Sequence, residues 1–177
     1  MKKIVSLAIF TFILLIFGVI FFYILDYGKF SNWSYSTTSL EALEEHQTVY
    51  IGYGVKWEGL GSPTITDISV IRGMATAGKQ PNELLRVTSF IDSGKNGKQN
   101  SIGVLDEASV IKGGFLDTFI PVNGYKVNNE LFDIVFKLEL IDTNYTNDVN
   151  GILIEYKHFG ISKSQIIDFE GFITDSN

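Results

Sequence analysis

A chain of 177 residues with 14 basic and 20 acidic side chains and no cysteine is long enough for one hydrophobic core, since a domain of about 140 residues buries close to 70% of its unfolded surface. The missing thiols exclude disulfides, thiolate metal sites, thiol catalysis and lipid attachment through sulfur. Setting aside Lys2 and Lys3 leaves 12 basic residues against 20 acidic ones, a balance that disfavours nucleic acid and adhesion of the domain to anionic headgroups while leaving cations open.

From Ile4 to Leu25 the chain is apolar and uncharged. Roughly 22 residues at about 1.5 Å each make a helix of about 33 Å, enough for a hydrocarbon core of about 30 Å. Lys2 and Lys3 precede the run and Asp26 follows it, which by the positive-inside tendency places residues 1–3 in the cytoplasm, 4–25 across the membrane and everything after it outside. A cleavable signal peptide has a shorter apolar region and a small-x-small exit, whereas this run leaves through Tyr23, Ile24 and Leu25; a slowly cleaved one is the alternative to a permanent anchor. Tyr23, Tyr27, Phe30, Trp33 and Tyr35 suit an aromatic belt at the outer interface, and Trp33 and Tyr35 equally suit packing on the domain. A cysteine-free exterior fits a bacterial envelope better than an animal secretory pathway. In the latter, Asn32-Trp33-Ser34 and Asn144-Tyr145-Thr146 match the glycan acceptor pattern.

Residues 26–47 read as a linker holding a short helix from Ser39 to His46, begun by Thr38 with Glu41 three positions on, the spacing of a capping box. From Thr48 the period becomes two. Thr48 to Trp57 places Val49, Ile51, Tyr53, Val55 and Trp57 on one face, and the glycines Gly52 and Gly54 on the other leave room for a bulge or a packed neighbour. After the turn Glu58 to Pro63, strands are expected over Thr64 to Ile71 and Leu84 to Ile91, separated by a loop from Met74 to Asn82. Asp92 to Lys98 reads as a turn, Ser101 to Leu105 and Phe115 to Val122 as weaker strands, and Asp106 to Gly114 as irregular, because Gly113-Gly114 breaks continuous structure. Leu131 to Ile141 alternates most cleanly: Phe132, Ile134, Phe136, Leu138 and Leu140 face one way, Asp133, Val135, Lys137 and Glu139 the other. Gly151 to Phe159 and Gln165 to Thr174 complete the set, joined by a hairpin loop from Gly160 to Ser164.

About eight short strands without a long helix predict an all-β domain over residues 48–177, an antiparallel β-sandwich of immunoglobulin-like or similar topology. Hydrolase motifs are missing: there is no Gly-x-Ser-x-Gly, no His-Glu-x-x-His and no phosphate loop. His46 suits a solvated helix end and His158 a structural role at a strand end, so no catalytic residue is assigned. In the loop Asp142 to Asp148, the oxygen side chains of Asp142, Asn144 and Asp148 stand at spacings that calcium loops use, and a plain Asx-rich turn has the same composition. There is no glycine at the sharp turn and Leu153 stands where a bidentate glutamate belongs, so no cofactor is assigned, with calcium the only candidate. The reading is a single-pass, membrane-anchored exterior domain that acts by binding another envelope or membrane protein, with a small-ligand or cation sensor and an envelope hydrolase lacking a known motif as the alternatives.

Overall fold

The period-two segments pair edge to edge, because an extended chain with one apolar face must bury that face and satisfy its backbone on both sides. The computed structural model describes residues 9–19, 27–73, 84–94, 103–145 and 149–174. Its strands are β1 (Lys29–Tyr35), β2 (Thr48–Glu58), β3 (Thr64–Arg72), β4 (Leu85–Asp92), β5 (Val104–Asp106), β6 (Phe119–Pro121), β7 (Leu131–Leu140), β8 (Val149–His158) and β9 (Ile161–Asp168). They form two antiparallel sheets. One runs β1-β2-β7-β4-β6, with β5 beside β2, and the other runs β3-β8-β9.

The apolar face expected of β7 points into the space between the sheets, where Phe132, Ile134, Phe136 and Leu138 meet Ile152, Ile154 and Tyr156 of β8. Strand β2 lies against β7 without a slip from Thr48↔Glu139 to Lys56↔Leu131, so its alternating residues Val49 to Trp57 enter the same core. The other face of these two strands is also covered. Tyr50 and Val135 pack with Val110 in a second cluster, roofed by Phe90, Phe115 and Phe119.

Val110 belongs to a helix where the sequence suggested irregular chain. Asp106 accepts from the Ser109 backbone N–H at 2.8 Å and so caps α3 (Glu107–Gly113), which ends at Gly114 with φ of 67°. The Gly-Gly pair that argued against continuous structure is thus the signal that stops a helix.

The expected linker is largely part of the sandwich. Within residues 26–47, β1 pairs with β2 from Lys29↔Glu58 to Tyr35↔Tyr53, with a bulge between Asn32 and Ser34. Phe30 is therefore a core residue, 2% exposed, rather than a member of an interfacial belt. Its backbone is held from the other sheet: Gln165 accepts from Phe30 N–H at 2.7 Å and donates to Phe30 C=O at 2.5 Å. The bulge carries the Trp33 indole over Gly54, where a Cβ would lie 2.5 Å from the ring, the packed neighbour that a glycine in this strand allowed. Helix α2 (Leu40–His46) is capped by Ser39, whose hydroxyl accepts from Ala42 N–H. Thr38, the expected cap, is buried instead and bridges Ile173.

The final hairpin is tighter than expected, with Phe159-Gly160 alone making the turn before β9. The strand ends at Asp168, and Phe169, Phe172 and Ile173 continue into the core outside the ladder.

Of the expected membrane helix Ile4 to Leu25, residues 9–19 form α1, and its large side chains from Ile9 to Val19 are exposed. The remainder lies outside the described residues, as do the loop 74–82 and Lys95 to Lys98 of the expected turn. Among the described residues no helix is long and apolar enough to cross a membrane.

Candidate functional site

One end of the sandwich, where β1 begins and β2 ends, is built around Trp57. A Cβ at Gly28 or Gly59 would strike its indole, and Gly28 has a φ of +138°, so two residues without side chains form a slot that a ring can enter. The indole N–H donates to Gly61 C=O at 3.0 Å. His158, 1% exposed, stands edge-on to the indole at 5.1 Å and places Nε2 2.6 Å from Leu60 C=O. A carbonyl only accepts, so Nε2 carries the hydrogen. His158 is therefore a strut between the β2–β3 and β8–β9 turns.

Beside this strut lies an open groove of about 580 Å³, walled by Tyr27, Trp57, Leu60, Asn128 and Asn129. Its charges are paired: Lys56 Nζ is 3.1 Å from Glu130 and 3.5 Å from Glu58, which also lies 3.5 Å from Lys29. The hydrogen bond and charge of Glu130 raise the Lys56 pKa. The groove thus offers apolar rings, side-chain amides and a paired charge network.

A second cluster was not anticipated. Asp92 and Asp133 are cross-strand partners, 3% and 4% exposed, and the Oδ2 atom of each lacks a hydrogen-bond partner. Asp92 Oδ1 accepts from Gly94 N–H at 2.9 Å. Burial, and then the charge of Asp92, push the Asp133 carboxyl up to about 6. The alternation of β7 had put Asp133 on the side away from the core, and the sequence carries no signal that this side is covered or that Asp92 stands opposite.

Two of the three calcium candidates, Asp142 and Asn144, are described and bond to each other. Asp142 Oδ1 accepts from Asn144 N–H at 2.9 Å and from Asn144 Nδ2 at 2.7 Å, the bonding of a plain Asx turn. Asp148 lies outside the described residues. Among those described, no group of three or more His, Cys, Asp or Glu side chains could hold a metal ion. Asn32 is likewise committed, donating to Ser34 and Gly54 carbonyls. His46 ends α2, half exposed, with Nδ1 3.8 Å from Asp106. No protein-family model matches the chain, and no match was found among curated proteins or solved structures.

Proposed function

We propose that the chain is a single-pass envelope protein: Ile4 to Leu25 anchor it in the cell membrane with Lys2 and Lys3 inside, and the exterior sandwich binds another envelope or membrane protein. Two features support the anchor. The run is apolar on every side, and the part of it in α1 exposes all its large side chains, the pattern of a helix that belongs in lipid rather than on a protein surface.

The strand order supports an immunoglobulin-like module. With the short β5 and β6 set aside, β1-β2-β7-β4 and β3-β8-β9 stand in the constant-type arrangement ABED and CFG, and α3 with β5 and β6 is an insertion between the fourth and fifth of these strands.

The observation that carries the binding role is β9. It is the outer strand of its sheet, five of its eight residues are exposed, and Ile166 is 58% exposed on its outward face. An outer strand with an apolar side chain in solvent is the part of a sheet to which a partner strand adds. The test is a photocrosslinking residue at Ser164 or Ile166 of the full chain in intact cells. A single recurrent adduct, lost when Ile166→Asp is combined with the Ser164 probe and missing from a probe at Lys112, is the expected result. Adducts of the same pattern from Lys112 would contradict the assignment to β9.

A further inference from the structure

We infer that the Trp57 end of the domain rests on the outer leaflet of the membrane, with the turns around Leu60 and Phe159 against lipid and the α2 end directed outward. The inference depends on the anchored reading above. The apolar run ends at Leu25 and Gly28 is already fixed against Trp57. Three residues span at most about 11 Å, against a headgroup layer of roughly 5 to 8 Å on each side of the hydrocarbon. The tether therefore keeps this end of the domain at the membrane boundary.

The surface there has the matching chemistry. Tyr27, Leu60, Phe159 and Ile161 are 49%, 53%, 53% and 45% exposed, and they project from the first strand's entry and from two adjacent turns. Phe159 has a φ of 49° and Gly160 one of 80°, a two-residue hairpin of the kind that favours Asn-Gly. A bulky ring in the left-handed region is costly. Here that strain holds a half-exposed ring over Gly61, 3.1 Å from where a Cβ would stand. Strain of this kind marks positions held for function.

Charge points the same way, although the domain as a whole is acidic. Around the groove, residues 27–32, 55–66, 122–133 and 156–163, with Asp92 paired to Asp133, contain five lysines against four carboxylates. Two of the four, Asp92 and Asp133, are buried. The rest of the described domain, residues 33–174 outside those ranges and without Asp92, holds four basic side chains against twelve acidic ones, Glu41, Glu44 and Glu45 of α2 among them. An anionic leaflet attracts the first end and repels the second. The repulsion read from overall composition becomes an orienting force once the charges are placed.

The chain has no cysteine, so single cysteines carry one probe each. Full-length Leu60→Cys, Phe159→Cys, Glu44→Cys and Ile111→Cys, labelled with a nitrobenzoxadiazole dye, are reconstituted into vesicles of phosphatidylcholine and phosphatidylglycerol containing headgroup-spin-labelled lipid. Quenching at Leu60 and Phe159 is expected to exceed that at Glu44 and Ile111 by roughly twofold or more, as suits side chains at headgroup depth. Equal quenching at all four, with the protein still sedimenting with alkaline-washed vesicles, overturns the membrane seat and leaves the anchor standing. Loss of sedimentation overturns both.

Discussion

Asp133→Asn preserves the shape of a buried side chain and removes its charge, and the domain is expected to become more stable at neutral pH. Moving a carboxyl from 3.8 to about 6 corresponds to about 3 kcal/mol between its two protonation states. The folded pKa is raised, so the folded state binds the proton more tightly than the unfolded chain. Below 3.8 both states are protonated and there is no penalty. Stability falls as pH climbs from 3.8 to about 6, and above that window the full cost of about 3 kcal/mol is present. The asparagine avoids this cost, and its amide can donate to the unpartnered Asp92 Oδ2. Urea unfolding of the full chain in micelles, from pH 4 to pH 8, compares the two proteins. The expected result is a gap that opens between pH 4 and pH 6 and reaches about 1 to 3 kcal/mol at pH 7, which is several degrees in Tm at about 3 °C per kcal/mol. Parallel curves, or a variant less stable than the parent at pH 7, would refute the reasoning that Asp133 is a buried, unpaired charge.

Other substitutions test the joints of the fold. Gln165→Leu leaves the Phe30 backbone without the two bonds that tie β9 to β1 and is expected to cost about 1 to 3 kcal/mol in urea unfolding. A neutral result would mean that the two strands are held by packing alone. Gly54→Val puts a side chain where Trp33 lies, with an expected loss of about 1 to 3 kcal/mol and a red-shifted Trp33 emission as the indole is displaced. Unshifted emission would contradict the close approach. Ser39→Ala removes the α2 cap for about 1 kcal/mol of stability, and an unchanged midpoint would return the cap to Thr38.

The strands were legible where large apolar residues recur at every second position. In β7 and β2 the alternation from Phe132 to Leu140 and from Val49 to Trp57 gives both element and inward face, because burial imposes period two on those positions. The reading failed where a second event interrupts the period. Trp33 sits in a bulge, so Lys29–Tyr35 does not alternate, and a paired strand passed for linker. Phe159 occupies a left-handed position, φ 49°, that turn chemistry assigns to Asn or Gly, so its sequence carries no signal for a two-residue hairpin. Gly113-Gly114 looked like a break because Asp106 and Ser109 reveal a cap only when the chain between them is helical.

The candidate sites were less legible for a related reason. Asp142 and Asn144 lie two apart, and their Asx turn follows from local chemistry. The Trp57 slot and the Asp92–Asp133 pair depend on register between strands distant in sequence, and one residue of slip would send every side chain to the opposite face. Composition similarly gave the total charge and not its division between the two ends.

The orientation of the domain across the membrane is tested most directly by thiol labelling of the full chain in intact cells. Ile111 is 60% exposed on α3, and Ile111→Cys supplies the protein's only thiol. The expected result is reaction with a membrane-impermeant maleimide in intact cells, with all labelled protein in the membrane pellet. Reaction only after lysis, or labelled protein in the cytosolic fraction, would contradict an anchored exterior domain.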